Sequence, residues 1–550
     1  MSRSFLDFGF GSASGTRLPR TLWLAGSLMF GIGANGIAVV GCQKTSAPSA
    51  PATADVKPTL RIHVVSSLAG AMEPCGCVKD MLGGLDHAAA LLRQSEKGAE
   101  SSLMLAAGPM FFRDPKLEAA RRQQDVWKAQ SIADSFADLD LVAWAPGVND
   151  FAGGLSTLAS LQQSSRAALL AANLTGPGIQ STQIIDRGGL RVGLTGISAL
   201  GETDLPEGVS SSDPKAALVQ ARKALKAGGA KVLIALLAMK RGEALRLVES
   251  VPGFHVFVLG KQLDRGEAND APLPAVRVGN TVVVQPPNHL QALSVLDLFV
   301  RDGKMTFQDA AGLDQAEQKQ SIERRQSILE KRIARWKSNG AVTGNDLAAR
   351  ELELAQLKTQ LGKMASPVAP KSGSFFRYEL AMVRESSGMD KAVAARMSDY
   401  YQRVNNHNRE AFADRKPEPV ADGHSSYAGI SACNQCHEEA VTFWKTTSHA
   451  RAYETLSRDH KQFNLDCVSC HVTGYEKPGG STVTFVDQLK DVQCEVCHGP
   501  LSRHAAEPDS QEPVRPPQSL CSKCHHEPHV GRDWKVRQAW PHILGPGHGR

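Results

Sequence analysis

The sequence predicts a multidomain protein: a layered α/β domain, then a helical hairpin, then a mainly irregular C-terminal region with some α-helix. Three observations carry this. Short apolar runs alternate with helical patterns from Leu60 to about Phe307, two apolar stripes at helical spacing fill residues 312 to 364, and regular periodicity is lost beyond Gly423, where histidine and cysteine concentrate. A chain of 550 residues also exceeds one core, since domains run to about 100–200 residues.

The first segment, residues 1–42, reads as an export signal. Arg17 and Arg20 precede an apolar run from Leu22 to Val40, which ends in Val39-Val40-Gly41-Cys42 and resembles a lipobox. Acylated Cys42 is then the mature N-terminus and a membrane anchor. Asn35 and several glycines weaken the alternative, an uncleaved spanning helix. Residues 43–58, rich in Ala, Pro, Ser and Thr, form a flexible tether. The expected location is the periplasmic side of a membrane, as a lipid-anchored protein of a Gram-negative outer membrane. A formal net charge of +6 with both signs dispersed gives no reason to expect nucleic-acid binding.

Within the α/β domain, residues 59–310, strands are expected at Leu60 to Ser66, Leu103 to Ala107, Leu139 to Ala145, Leu190 to Ile197, Val232 to Leu237, Phe254 to Leu259 and Val282 to Gln285. Helices are expected at Leu85 to Gln94, Leu117 to Phe136 and Pro214 to Ala227. Val295 to Phe307, with Asp302-Gly303 in the middle, reads as a closing hairpin. Residues 311–415 form a connector. In it Ile322, Leu329, Ile333 and Trp336 face Leu347, Leu354 and Leu361 across a break at Asn339-Gly340 and Thr343-Gly344, and a further helix runs from Asp390 to Asn405. Residues 416–423 are a linker to the last domain, 424–550.

That last domain holds twelve of the 17 histidines and four pentapeptides of the form Cys-x-x-Cys-His. They are Cys433, Cys436 and His437; Cys467, Cys470 and His471; Cys494, Cys497 and His498; and Cys521, Cys524 and His525. Each is a c-type haem attachment site, in which both thiols bond the haem vinyl groups and the adjacent histidine reaches the iron from one face. Four c-type haems are therefore expected. No methionine occurs from His424 onward, so the distal ligands come from His424, His449, His460, His504, His526, His529, His542 and His548, or one iron stays five-coordinate. The region is poor in large apolar residues, so haem supplies most of its core, with Trp444, Tyr453 and Trp534 packing against it.

Here the sequence resembles the multihaem cytochrome c-554 family. The resemblance rests on Tyr427-Ala428-Gly429, Cys433 to His437, Trp444, Ser448-His449-Ala450, Cys-Val-Ser-Cys-His-Val-Thr-Gly from Cys467 and Cys-Glu-Val-Cys-His-Gly-Pro from Cys494. It implies closely stacked haems, largely bis-histidine ligation, and His449 and His504 as favoured distal ligands. Both His542 and His548 stand where the family has one ligand.

The stretch from Leu60 to Val300 resembles the calcineurin-like metallophosphatases, in their secreted 5'-nucleotidase branch. Its landmarks are Leu60 to Gly70 with Gly83-Gly84-Leu85, Leu105 to Gly108, Pro146 to Gly154, Leu190 to Ile197 and Phe254 to Gly260. The family's metal ligands are missing. Ser67-Leu68-Ala69 replaces Asp-x-His, Gly108-Pro109 replaces Gly-Asp, Gly147-Val148-Asn149-Asp150 replaces Gly-Asn-His-Glu, and Gly260-Lys261-Gln262-Leu263 replaces Gly-His-x-His. Such side chains do not assemble a dimetal centre. Cys75-Gly76-Cys77 follows directly, and in an oxidising compartment it is a labile redox disulfide, a structural disulfide or thiol pair, or part of another metal site.

The expected function is electron transfer by an exported tetrahaem cytochrome with periplasmic or membrane redox partners and a non-hydrolytic metallophosphatase-like domain. The alternatives are a redox enzyme using Cys75 and Cys77 or an open haem, and a phosphohydrolase.

Overall fold

Alternation of side chains along the strands divides the N-terminal apolar residues among three cores. Leu60, Ile62 and Val64, Leu103 and Leu105, and Val232, Ile234 and Leu236 point into one of them, between two sheets. Their neighbours Val65, Met104 and Ala106 face a second, and Leu233, Ala235 and Leu237 a third. Strands buried on both faces suit mostly parallel sheets covered by helices. The computed structural model describes residues 56–74, 81–201, 204–262, 268–339, 344–364, 368–526, 530 and 534–548. The export segment with Cys42, most of the tether, Cys75, Cys77 and His529 lie outside the described residues.

The larger sheet has 8 strands, in the order Gln308–Asp309, Phe375–Met382, Ala292–Phe299, Leu60–Ser66, Ser102–Ala107, Leu141–Ala145, Ala168–Leu170 and Ile179–Gln180. The second has 6, in the order Val276–Val278, Thr281–Val284, Val256–Gly260, Val232–Ala238, Leu190–Ser198 and Thr182–Arg187. Helices Leu85–Glu96, Arg122–Asp138, Leu155–Ser165 and Lys391–Ala411 cover the outer face of the first sheet. Pro214–Ala227 and Arg241–Ser250 cover that of the second. The layered α/β expectation therefore stands, with four layers. The carboxyl ends of Leu60–Ser66, Ser102–Ala107, Leu141–Ala145, Leu190–Ser198, Val232–Ala238 and Val256–Gly260 converge, the usual place for a site in such sheets.

Two expectations are corrected. Val295 to Phe307 is not a hairpin. The turn forms, with Asp302 and Gly303 both at positive φ (53° and 67°), but the place beside Ala292–Phe299 is taken by Phe375–Met382, antiparallel from Ala292↔Met382 to Phe299↔Phe375. Ser374 caps the turn by donating to the carbonyls of Arg301 and Lys304. Nor does the α/β domain end at residue 310: this late strand belongs to its sheet, and helix Lys391–Ala411 packs Val393, Met397, Tyr400 and Val404 into its core. Local periodicity cannot reveal a partner about 75 residues downstream.

The inserted helices, Leu313–Asn339 and Asn345–Lys363, form the expected hairpin, with Ile322, Leu329, Ile333 and Leu357 buried along one seam. Lys416 to Gly423 is pinned rather than free: Glu418 accepts from Gly479 N (2.8 Å) and Gly423 from Arg503 (2.6 Å). The C-terminal region is short helices and turns, and among its described residues the one cluster of mutually packed buried apolar side chains is Tyr453, Val468, Val472 and Val486. Among the described residues no helix is long and apolar enough to cross a membrane.

Phe375 stacks on Phe299 at 4.3 Å and is fully buried. Phe375→Ala is expected to lower the unfolding free energy of the α/β domain by about 3–5 kcal/mol in a denaturant titration. A loss below about 1 kcal/mol would place the strand outside the domain's cooperative unit.

Candidate haem sites

Each attachment motif sits on one tight helical turn. His437 N donates to Cys433 O (2.9 Å), His525 N to Cys521 O (2.8 Å) and His471 N to Val468 O (3.0 Å), while helix Cys494–His498 contains the third motif whole. A turn of this kind puts the first cysteine and the histidine four residues later on one face, as covalent attachment with axial ligation requires. The first and third motifs are joined by polar side chains. Buried Glu495 accepts from Ala428 N (2.9 Å), Gly429 N (2.8 Å) and Leu501 N (2.8 Å), and Gln493 accepts from Ile430 N (2.7 Å). Cys433 interacts electrostatically with Cys494, Cys470 with Cys524, and Cys497 with Cys521. The motifs thus lie close to one another.

Three attachment histidines face a second imidazole. Ring centres are 6.4 Å apart for His437 and His504, 6.1 Å for His449 and His525, and 5.9 Å for His498 and His548. With metal–nitrogen bonds of about 2.0 Å, two imidazoles on opposite sides of one ion have centres about 6 Å apart, so these pairs fit bis-histidine haem. Backbone carbonyls orient the rings. His504 Nδ1 lies 2.9 Å from Pro508 O, His548 Nδ1 3.1 Å from Gly545 O, His498 Nδ1 2.9 Å from Val514 O and His471 Nδ1 2.5 Å from Ala452 O. A proton on Nδ1 leaves the Nε2 lone pair for iron. Burial pushes the pKa of His449, His471 and His525 down, towards the neutral form that ligates.

His471 has no facing imidazole among the described residues. His424, His460 and His542 are exposed and face none of the attachment histidines. Trp534 stacks on His525 at 4.8 Å, Trp444 donates to Val492 O (2.9 Å) and Tyr453 is buried.

At the strand ends of the α/β domain, protein atoms occupy the positions where metal ligands were sought. Ser67 Oγ donates to Lys261 O (3.0 Å). The Gln262 amide donates to Ala238 O (2.8 Å) and accepts from Val148 N (2.8 Å), and Asn149 donates to Arg113 O (2.6 Å). Asp150 keeps a structural task, accepting from Met110 N (2.8 Å), Phe111 N (2.9 Å) and Gly147 N (3.0 Å). His63 and His289 pair with Ser95 and Asn269, His255 accepts from Leu233 N, and His87 meets Gly388 O. Among the described residues no three His, Cys, Asp or Glu side chains cluster as a metal site.

Comparison with known proteins bears on the C-terminal region. Residues 432–499 match the family described as cytochrome c554 and c-prime. That segment is similar to c-type cytochromes. A stretch of 91 residues is 35% identical to cytochrome c-554 of Nitrosomonas europaea, covering 14% of this chain and 38% of that protein. The chain therefore spans well under half of this cytochrome c-554. Similar solved structures include the 5'-nucleotidase precursor of Thermus thermophilus (TM-score 0.43, 16% identity, 63% of this chain and 59% of that one) and the NAD nucleotidase of Haemophilus influenzae (TM-score 0.41, 13% identity, 78% and 74%). The family segment ends at Gly499. His504, His525 and His548, which complete the three ring pairs, lie beyond it.

Two outcomes follow. Replacing His449, His504 or His548 by alanine is expected to turn one low-spin haem high-spin in the electronic spectrum, whereas alanine at His424, His460 or His542 leaves the spectrum unchanged. Burial raises the Asp150 pKa from 3.8 to about 7, against three backbone N–H groups that pull it down. The native state then holds a proton that the unfolded chain releases. This contribution is complete below the unfolded value near 4 and is lost as pH rises to about 7. Unfolding titrations should show that decline, and Asp150→Asn should abolish it while costing about 1–3 kcal/mol overall.

Proposed function

We propose that the chain is an exported tetrahaem c-type cytochrome that carries electrons between periplasmic or membrane partners. Its α/β domain docks rather than hydrolyses. The observation that carries this reading is the set of three imidazole pairs at 5.9–6.4 Å, each built on an attachment motif. When bound, c-type haem supplies reversible one-electron chemistry, and all-histidine ligation without methionine favours low potentials. The protein's own part is to hold neutral Nε2 atoms in place, to anchor the cysteines on tight turns and to bring the motifs close to one another. The filled strand-end site supports the non-hydrolytic reading, because Gln262, Ser67 and Asn149 spend their polar atoms on backbone partners. Export and anchoring through Cys42 remain part of the proposal.

A second reading, a redox enzyme using Cys75 and Cys77, is favoured by one contact. Glu73, two residues before Cys75, is ion-paired with Lys461, six residues before Cys467. Glu73 itself is thereby tied to the peptide that precedes the second motif. Thiol trapping with haems oxidised and then reduced by a non-thiol reductant separates the readings: labelling of Cys75 and Cys77 only after haem reduction favours the enzyme.

Denaturing intact-mass analysis of the purified holoprotein is expected to show four covalent haems, falling to three when both cysteines of one motif become alanine. The same preparation is expected to lack phosphoester turnover with added divalent metal. A lower haem count, or stoichiometric metal with turnover, would falsify the proposal.

A further inference from the structure

The peptide just ahead of Cys467 is clamped onto the α/β domain by a charged cluster that haem attachment itself does not require. Asp466 accepts from both Arg121 and Lys128, and Arg121 is shared with Asp125 at 2.9 Å. The three side chains of the clamp are only 16–23% exposed. Beside them, Gln124 Oε1 accepts from Leu465 N (3.0 Å) and from Asn408 (3.0 Å), Gln124 Nε2 donates to Asn464 Oδ1 (3.2 Å), and Asn408 also donates to Phe463 O (2.8 Å). Asn464 O accepts from Cys467 N and Val468 N, both at 3.0 Å. Helix Arg122–Asp138, with Arg121 at its start, therefore fixes the chain up to the first cysteine of the second motif.

Charges this poorly solvated act over longer distances than surface charges, because the effective dielectric constant is low. Two cations, Arg121 and Lys128, and the Asp466 carboxylate adjoin the attachment point. A nearby cation stabilises an added electron and a nearby carboxylate opposes it. We propose that this cluster sets the reduction potential of the haem attached at Cys467 and Cys470, with Asp466 as a positioning residue, so that the α/β domain tunes one haem. The inference rests on haem attachment at this motif, as proposed above.

The test is a spectroelectrochemical titration of the full haem-loaded chain carrying Asp466→Asn or Lys128→Met. Asp466→Asn is expected to raise one of the midpoint potentials, shifting that reduction equilibrium about tenfold, or about 59 mV for a one-electron couple. Lys128→Met is expected to lower the same potential, and Asp466→Glu to restore it. Loosening of the domain contact alone would move both variants in one direction, or all haems together. Either result, or no shift at all, overturns the inference. If Asp466→Asn does not fold, Lys128→Met decides alone, because it leaves the Arg121 pair in place. Intact mass of the same samples separates the two levels: a missing haem at Cys467 and Cys470 sinks the attachment reading, while four haems with unmoved potentials sink only the tuning.

Discussion

A region of more than a hundred residues whose packed apolar cluster, among the described residues, is Tyr453, Val468, Val472 and Val486, with isolated buried side chains such as Leu456, Val483 and Leu501 besides, buries little apolar surface for its length. Burying a whole side chain of this size contributes about 1.5–3 kcal/mol, and so few do not offset the ordering of so long a segment. The structure answers with polar side chains used as backbone staples. Buried Glu495 and Gln493 and half-buried Asp491 tie separate backbone segments together, as in the bond from Tyr453 N to Asp491 at 2.8 Å, while buried Asn464 closes its own turn by accepting from Asp466 N. These staples hold three of the motif histidines opposite a second imidazole. In the proposed reading haem completes the core, which would couple folding to haem attachment.

The α/β domain meets the opposite condition. Its three apolar cores need no cofactor, and the strand ends that would hold a ligand are closed by their own side chains. Asp150 illustrates how these strand ends are closed. Its carboxylate accepts from three backbone N–H groups in the loops after Ser102–Ala107 and Leu141–Ala145. That structural bond persists where the neighbouring Ser67, Pro109 and Val148 offer no hard-metal ligand. Loop geometry here depends on backbone partners, whereas metal binding would depend on side-chain identity.

The two parts are one compact unit in the described residues, joined by helix Lys391–Ala411 and by the Asp466 clamp. The carboxylate of Asp466 is pushed up by burial and pulled further down by Lys128 and Arg121, ending well below the usual carboxylate range. It therefore remains charged through the neutral range. A docking contact that stays ionised gives a fixed electrostatic environment to whatever is attached at Cys467.

The expected attachment chemistry was legible in the sequence alone, because Cys-x-x-Cys-His is local: one turn of backbone carries both cysteines and the histidine that follows them. Period-2 and period-3.6 patterns likewise revealed most long strands and helices, including Pro214–Ala227 at both ends. The resemblance already favoured His449 and His504, but only the tertiary structure set them opposite His525 and His437 and placed His548 rather than His542 opposite His498. These pairings join distant segments. Tertiary structure also decided that Phe375–Met382 completes the first sheet and that Asp466 meets Arg121. Pairing across long sequence separations depends on the packed fold, which leaves no periodic trace in either segment.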